Sequence, residues 1–425
     1  IRVVAVVLVG SEMCIRDRVR GLKIIITKVT IPVPYGPAFQ GERVRKDDMH
    51  VEMAGQTQPG FEYLTTKKLD EVEDGKIEVI GPEIEEVKEG SKIPLAFWVE
   101  VAGREMQPDF EPILERHIHD FVNCANGIFH MGQRDINWVR ISKEAKAKGF
   151  KFKHFGSILH AKLHGEFGKI FDKIQIKIYT REKEILELID VARKVYLERD
   201  ARIADLTDEA VDTFYSCALC QSFAPNHICI ITPERSGLCG SYNWLDGKAA
   251  HRINPTGPNQ PVKKGKVIEP VKGQWQEVNE FVYNNSHKTL EMFNAYSIIE
   301  HPMTSCGCFE CISCVLPSSN GVLTVYSVHT GMTPIGMKFS TLAGTVGGGL
   351  QTPGFIGHSK QYIGSNKFIS AEGGIKRIVW MNKELKEELE PLLQELGTKH
   401  GVENFVEMIA DETVATTEEE LSLIH

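Results

Sequence analysis

The stretch Cys217-Ala-Leu-Cys220-Gln-Ser-Phe-Ala-Pro-Asn-His-Ile-Cys229-Ile-Ile-Thr-Pro-Glu-Arg-Ser-Gly-Leu-Cys239 decides how the second half of this chain is read. Its spacings are x2, x8 and x9, and four thiols are the set that a tetrahedral zinc or a cubane iron–sulfur cluster takes. A zinc ribbon pairs its cysteines as two knuckles, but here only Cys217 and Cys220 are close. Pro225, Pro233, Gly237 and Gly240 keep the intervening chain irregular. A loop wound around something larger than one ion favours iron–sulfur over zinc, with unliganded buried cysteines as a third reading.

Downstream lies Cys306-Gly307-Cys308. Two thiolates one residue apart can hold a single ion, and the backbone nitrogens of Gly307 and Cys308 lie between them. If those amides lose their protons, two sulfurs and two nitrogens form a planar chelate, a field suited to Ni(II) or Cu(II) rather than Zn(II). Glycine in the centre permits the backbone geometry that such a chelate asks for. A tight turn with two structural cysteines is the equally weighted alternative. Cys311 and Cys314 are read as small residues packed beneath the metal loop, and Cys124 as core.

Working outward, residues 22–208 read as an α/β (α+β mixed) domain and 209–420 as a loop-rich metal-cluster domain, two consecutive units. Strands are predicted at 76–80 and 95–101, and at 174–178, where Ile174, Ile176 and Ile178 alternate with polar residues. A short apolar run at 23–26 is a further strand. Helices are predicted from Phe110 to a stop near Gly127 and from Ile158 to Phe167. Another, capped by Thr180, carries Ile185, Leu188, Ile189, Ala192 and Val195 on one face. Gly344–Gly364 holds seven glycines in 21 residues, so its backbone can come close to something. Leu385, Leu389, Leu392, Leu393 and Leu396 form a helical stripe expected to kink at Pro391 and stop at Gly397. The acidic stretch 411–420 reads as frayed.

Composition narrows the function classes. The 425 residues are 42% hydrophobic and 25% charged, which suits a globular protein and excludes disorder and a small disulfide scaffold. Forty-nine basic against 57 acidic residues give a net charge of −8, which argues against nucleic acid as a partner. No apolar run approaches the ~20 residues of a membrane helix, so no membrane is expected either. Eight of the ten cysteines fall between Cys217 and Cys314, clustering that favours metal ligation over disulfides.

Together these residues resemble the acetyl-CoA synthase subunit of the carbon monoxide dehydrogenase/acetyl-CoA synthase complex. The resemblance runs from Gly41 to Gly397. Its markers are Gly41-Glu-Arg-Val-Arg-Lys-Asp-Asp-Met49, Met131-Gly-Gln-Arg-Asp-Ile-Asn-Trp138, the four-cysteine loop and Cys306-Gly307-Cys308. It implies an acyltransferase that condenses CO, a methyl group from a methylated corrinoid iron–sulfur protein, and coenzyme A into acetyl-CoA. Cys217, Cys220, Cys229 and Cys239 would hold a 4Fe-4S cluster, with Cys220 bridging to a proximal nickel. Cys306, Gly307 and Cys308 would hold a distal nickel and share their sulfurs with the proximal one. Phe223 matches an aromatic beside that metal. The carbon monoxide dehydrogenase subunit becomes an expected partner, and an oxygen-free cytoplasm the expected location. Arg134, Trp138, Arg140 and Lys143 are candidates for the coenzyme A phosphates and base. At Phe129 the family has a tryptophan, so an indole N–H is exchanged for a plain ring.

Two end segments are set apart. Met13-Cys14-Ile15-Arg16-Asp17 resembles a translated sequencing adapter, and Leu421-Ser422-Leu423-Ile424-His425 its reverse strand. Residues 1–18 and 421–425 are therefore read as artefact.

Overall fold

In a computed structural model of the chain, residues 29–36, 39, 44–55, 57–118, 122–133, 136–222, 224–307 and 309–424 are described. Two compact units are present, Ile1–Arg202 and Ile203–His425. Both mix helices and sheets, in keeping with the α/β class. The run at 23–26 lies outside the described residues.

The first unit contains β1 (Met49–Ala54), β2 (Gly60–Thr66), β3 (Ile77–Ile80), β4 (Ser91–Ile93), β5 (Leu95–Ala102), β6 (Ile128–Gln133), β7 (Ile136–Ser142) and β8 (Lys173–Tyr179). They form two four-stranded sheets, ordered β4-β1-β7-β6 and β2-β5-β8-β3. Alternation on β8 is as predicted, with Ile174, Ile176 and Ile178 buried and the residues between them half-exposed. Period-2 geometry gives β5 two faces. Ala96 joins Phe61 and Tyr63 against Ile185, Ala192 and Tyr196 of one helix (Glu182–Ala201). Phe97, on the opposite face, meets Phe155 of another helix (Lys153–Phe167) edge-on at 5.6 Å.

Two predictions in this unit are corrected. Of the helix expected from Phe110 to Gly127, Glu111–Glu115 is helical, a turn interrupts it at 116–117, and Ile118 and Val122 are again helical. After Val122 the helix does not continue: Ala125 makes an isolated bridge to Tyr35, the Cys124 carbonyl accepts the Gly36 N–H, and turns flank that bridge. The short helix has another task. Its buried Glu111 and Glu115 accept the Thr66 and Leu64 amides and both receive Arg199, at 3.0 and 3.2 Å. Thr180, expected as a cap, instead donates its hydroxyl to the Pro82 carbonyl at 2.8 Å. The N-cap is Arg181, which makes no side-chain cap bond.

The second unit contains β9 (Thr213–Cys217), β10 (Cys229–Ile231), β11 (Pro261–Lys263), β12 (Val267–Glu269), β13 (Gln274–Trp275), β14 (Cys311–Leu316), β15 (Gly321–Tyr326), β16 (Phe355–His358) and β17 (Ile378–Met381). These build sheets ordered β10-β9-β11 and β16-β14-β15-β17, with β12 and β13 as a separate pair. Cys311 and Cys314 are fully buried on β14, as core residues should be. The leucine stripe forms one helix, Lys383–Lys399, in which Leu385, Leu393 and Leu396 are buried.

Three details of that region differ from prediction. The helix runs through Pro391, which faces solvent, where water can satisfy the carbonyl a proline leaves without its usual partner. It also passes Gly397, where a Cβ would come within 2.8 Å of the Phe405 Cβ; that glycine serves close packing. The stop comes at Gly401, whose φ of +65° suits the residue after a helix end. Finally, 411–420 is docked rather than frayed. Asp411 is buried, the Trp380 indole donates to the Ala415 carbonyl at 3.0 Å, and Leu421 is fully buried.

Arg199→Met leaves two buried carboxylates without their cation, and we expect a loss of about 3–5 kcal/mol. A thermal unfolding curve that superimposes on that of the unchanged protein would show that Glu111 and Glu115 do not depend on Arg199.

Candidate metal centre

The site begins with a register. β9 and β10 pair antiparallel so that Cys217 lies directly opposite Cys229. From the end of β9 the chain enters a 3-10 turn, Leu219–Ser222, that carries Cys220. The Cys220 carbonyl accepts the Ala224 N–H at 3.1 Å, and the Ala224 carbonyl accepts the His227 N–H at 2.8 Å, which turns the chain back into β10. After β10, Thr232 and Arg235 exchange backbone hydrogen bonds around Pro233, and the Gly240 N–H closes onto the Gly237 carbonyl at 2.9 Å. Cys239 sits within that last turn, held from outside by the Ser359 N–H on the Leu238 carbonyl at 2.7 Å. Each proline and glycine noted in the sequence thus occupies a bend of the loop.

The second stretch reaches the same place from a distance in sequence. The Ser305 hydroxyl accepts the Gly357 N–H at 2.8 Å, and the Ser305 carbonyl accepts the Gly349 N–H at 2.9 Å. Gly347 packs so close that an added Cβ would lie 3.5 Å from the Gly307 Cα, and a Cβ on Gly349 would lie 3.1 Å from that of Ala224. What the glycine-rich segment approaches is therefore the Ser305–Gly307 backbone and the four-cysteine loop. Gly307 itself has φ +119°, a region L side chains rarely adopt, although open space surrounds it.

Cys217, Cys220, Cys229, Cys239 and Cys306 consequently line one cavity, together with His227, Tyr242, Phe309 and His358. Sulfur atoms of Cys220 and Cys306 and a ring nitrogen of His227 all lie within 4.8 Å of one another. Cys308, Phe223 and Arg134 are outside the described residues. Among the described residues no cysteine is joined in a disulfide.

Electrostatics in this cavity disfavour bare thiolates. Burial pushes the Cys217 thiol well up. Cys220 is raised first by its hydrogen bond with Cys306 and then by burial. Desolvation also acts to raise Cys229, but the neighbouring His227 imidazole outweighs it and lowers that thiol. Desolvation opposes charge on His227, yet Cys229 raises it to about 9. His227 places Nε2 3.3 Å from the Cys229 sulfur and Nδ1 2.9 Å from the Thr304 hydroxyl. His358 is the contrasting case, since burial pushes it down to about 4. Its Nδ1 faces the Ser359 carbonyl at 2.8 Å and must carry the proton, so Nε2 accepts from the Ser313 hydroxyl at 2.8 Å. Burial resists ionisation of Cys217, Cys220, Cys229 and Cys239, and with Cys306 beside them this crowding suits a polynuclear cation whose charge would stabilise the thiolates. The donor set fits an iron–sulfur centre with a further thiolate-bound metal.

Sequence reading did not single out His227, Tyr242, Phe309 or His358. Position alone could have flagged two of them. His227 stands two residues before Cys229, and Phe309 directly follows Cys308. His358 lies inside the glycine-rich segment 344–364 without itself being singled out, and Tyr242 comes from a segment without a distinguishing pattern.

The proposed coenzyme A residues lie in the first unit. Trp138 and Arg140 are on β7, with the guanidinium 4.7 Å from the indole centroid. Arg140 is already held by Glu52 at 2.7 Å, and Lys143 pairs with the exposed Glu89 at 2.8 Å. Phe129 meets Trp138 edge-on at 5.4 Å.

An α/β protein whose cysteines converge from two stretches on one cavity belongs to the class that can hold metal through thiolates. Family comparison makes that specific. Residues 31–185 match the model of the CO dehydrogenase/acetyl-CoA synthase complex beta subunit, and 196–424 match that of the C-terminal region of the ACS/CODH beta subunit. This chain belongs to that family. It is 54% identical over 403 residues to the carbon monoxide dehydrogenase/acetyl-CoA synthase subunit alpha of Moorella thermoacetica, covering 95% of this chain and 55% of that one. To the acetyl-CoA decarbonylase/synthase complex subunit beta of Methanopyrus kandleri it is 44% identical over 392 residues, covering 92% and 82%. The chain thus spans about half the length of the Moorella relative. A solved C-terminal domain of an acetyl-coenzyme A synthase alpha subunit is 50% identical, covering 28% of this chain and 89% of its own, with a TM-score of 0.27. Among the described residues no helix is long and apolar enough to cross a membrane.

Gly307→Ala adds a side chain where nothing obstructs it, so only backbone strain opposes the change. We expect a destabilisation of about 1–3 kcal/mol in thermal denaturation. Unchanged stability would mean that the tripeptide relaxes away from its positive φ at no cost.

Proposed function

We propose that this chain carries the acetyl-forming site of an acetyl-CoA synthase, an acyltransferase that joins CO, a methyl group from a methylated corrinoid iron–sulfur protein, and coenzyme A, reversibly, into acetyl-CoA. The observation that supports it is the meeting of Cys306 with the four-cysteine loop at one cavity. A simple electron-transfer cluster or a zinc-stabilised module uses the loop alone and leaves Cys306 and the positive φ of Gly307 without a purpose.

In this reading Cys217, Cys220, Cys229 and Cys239 hold a 4Fe-4S cluster. Cys220 also bridges toward a proximal nickel, and Cys306, Gly307 and Cys308 hold a distal one. When bound, the centre supplies an electron-rich nickel with open positions for carbon–carbon bond formation. The chain's own contribution is placement and shielding. The Gly347–Gly349 backbone fixes the tripeptide against the loop, and the apolar walls at Ile231, Leu238 and Phe309 exclude water. His227 directs a ring nitrogen at Cys229, a donor to sulfur of the kind that tunes a cluster. Phe223 is assigned to the space beside the proximal metal.

Coenzyme A is assigned to Arg134, Trp138, Arg140 and Lys143. Lys143 is the cation most easily recruited, because phosphate need only displace an exposed glutamate. Arg140, clamped by Glu52, serves to hold the Trp138 ring. The dehydrogenase subunit and the corrinoid protein are the proposed partners, in an oxygen-free cytoplasm.

Metal analysis of anaerobically prepared protein should find about two nickels for every four irons. Iron without nickel, or zinc alone, overturns the reading. Cys306→Ala is expected to abolish acetyl-CoA formation while most of the iron stays, and continued synthesis removes Cys306 from the site. Lys143→Ala should raise KM for coenzyme A severalfold at unchanged kcat; an unaltered KM places the phosphates elsewhere.

A further inference from the structure

A second group of metal-ligating side chains sits in the first unit, on the helix Lys153–Phe167. His160 and His164 are one turn apart on that helix and share a face. Their rings lie 4.7 Å apart between centroids. Both direct Nε2 at the same carboxylate oxygen, Asp74 Oδ1, from 3.1 and 2.9 Å. Leu159 and Leu163, fully buried, seat the helix and leave the two imidazoles facing outward. Asp74 is positioned as firmly. Its Oδ1 accepts the Ile174 N–H at 3.1 Å, and the next residue, Gly75, donates its N–H to the Ile174 carbonyl at 2.9 Å. The carboxylate is therefore pinned to β8 by the backbone, support of the kind that orients metal ligands.

We propose that Asp74, His160 and His164 form a binding site for a divalent first-row cation such as zinc, separate from the thiolate centre. Two donors on one tetrahedral zinc at ~2.0–2.1 Å lie about 3.3 Å apart, so the two separations to Asp74 need only a few tenths of an ångström of adjustment, and the ring nitrogens lie within 4.8 Å of each other. Two imidazoles and one carboxylate suit a borderline metal and not magnesium or calcium, which prefer oxygen donors. The side chains are 29%, 26% and 44% exposed, which lets an ion enter and water complete its coordination. Without metal, Nε2 protons bridge to Asp74. With metal, the proton of each ring resides on Nδ1 and Nε2 gives its lone pair to the ion. Bound zinc would clasp the turn before β3 to a helix some 86 residues further along the chain.

The test compares the holoprotein with its His160→Ala/His164→Ala variant after equilibrium dialysis against zinc, so that thiol-bound metal cancels in the difference. The unaltered protein should retain one more zinc per chain, and X-ray absorption of that extra zinc should show nitrogen and oxygen neighbours without sulfur. Equal zinc in both proteins, or sulfur around the extra ion, overturns the site. Should the double variant fail to fold by circular dichroism, Asp74→Asn decides. It keeps the side-chain size and should weaken zinc on the order of tenfold or more, whereas unaltered affinity overturns the proposal.

Discussion

The metal centre depends on one close approach: the backbone of Gly347–Gly349, with Gly357 beside it, lies against Ser305–Gly307. At Gly349 a Cβ would lie 3.1 Å from that of Ala224, tight enough that a neighbour must give. At Gly357 a Cβ would come within 2.4 Å of the Phe309 ring. This contact holds Cys306 at the four-cysteine loop. Without it the loop remains a plausible cluster site, but the fifth sulfur has no reason to be there. The proposed chemistry therefore rests on glycines as well as on the cysteines that line the cavity.

The walls divide the work. Main-chain hydrogen bonds, chiefly Thr232 with Arg235 and Gly240 with Gly237, set the shape of the loop and cost little in sequence beyond prolines and glycines at the bends. Charge is set by a few buried groups. Arg235 is fully buried, donates to the Ile230 carbonyl at 2.8 Å and lies over the Tyr362 ring. It is a permanent cation close to Cys229, and together with His227 it lowers that thiol against desolvation. His358 stays neutral and braces the end of β16 through Ser313.

Much of this was legible in the sequence because the signals were local. Alternation named β8, cysteine spacing named the loop, and a run of glycines announced a close approach. Predictions failed where a distant partner outbid a local preference. The helix expected as one piece from Phe110 is broken at 116–117, after Glu111 and Glu115 turn inward to Arg199. Thr180 had the chemistry of a cap but Pro82 took its hydroxyl. Gly397 looked like a helix stop, yet it makes room for Phe405, and the stop belongs to Gly401. Tyr242 and His358 carry no pattern that marks them as cavity residues, since only tertiary folding brings them to it.

The order in which the cavity's walls are made along the chain has a consequence for biogenesis. Cys217 leaves the ribosome well before the strand that braces Cys306, since β16 ends at His358 and pairs with β14. A nascent chain that has exposed its first four cysteines does not yet possess the pocket. On the proposed reading, a centre that needs all five thiols could therefore assemble only once β16 is in place.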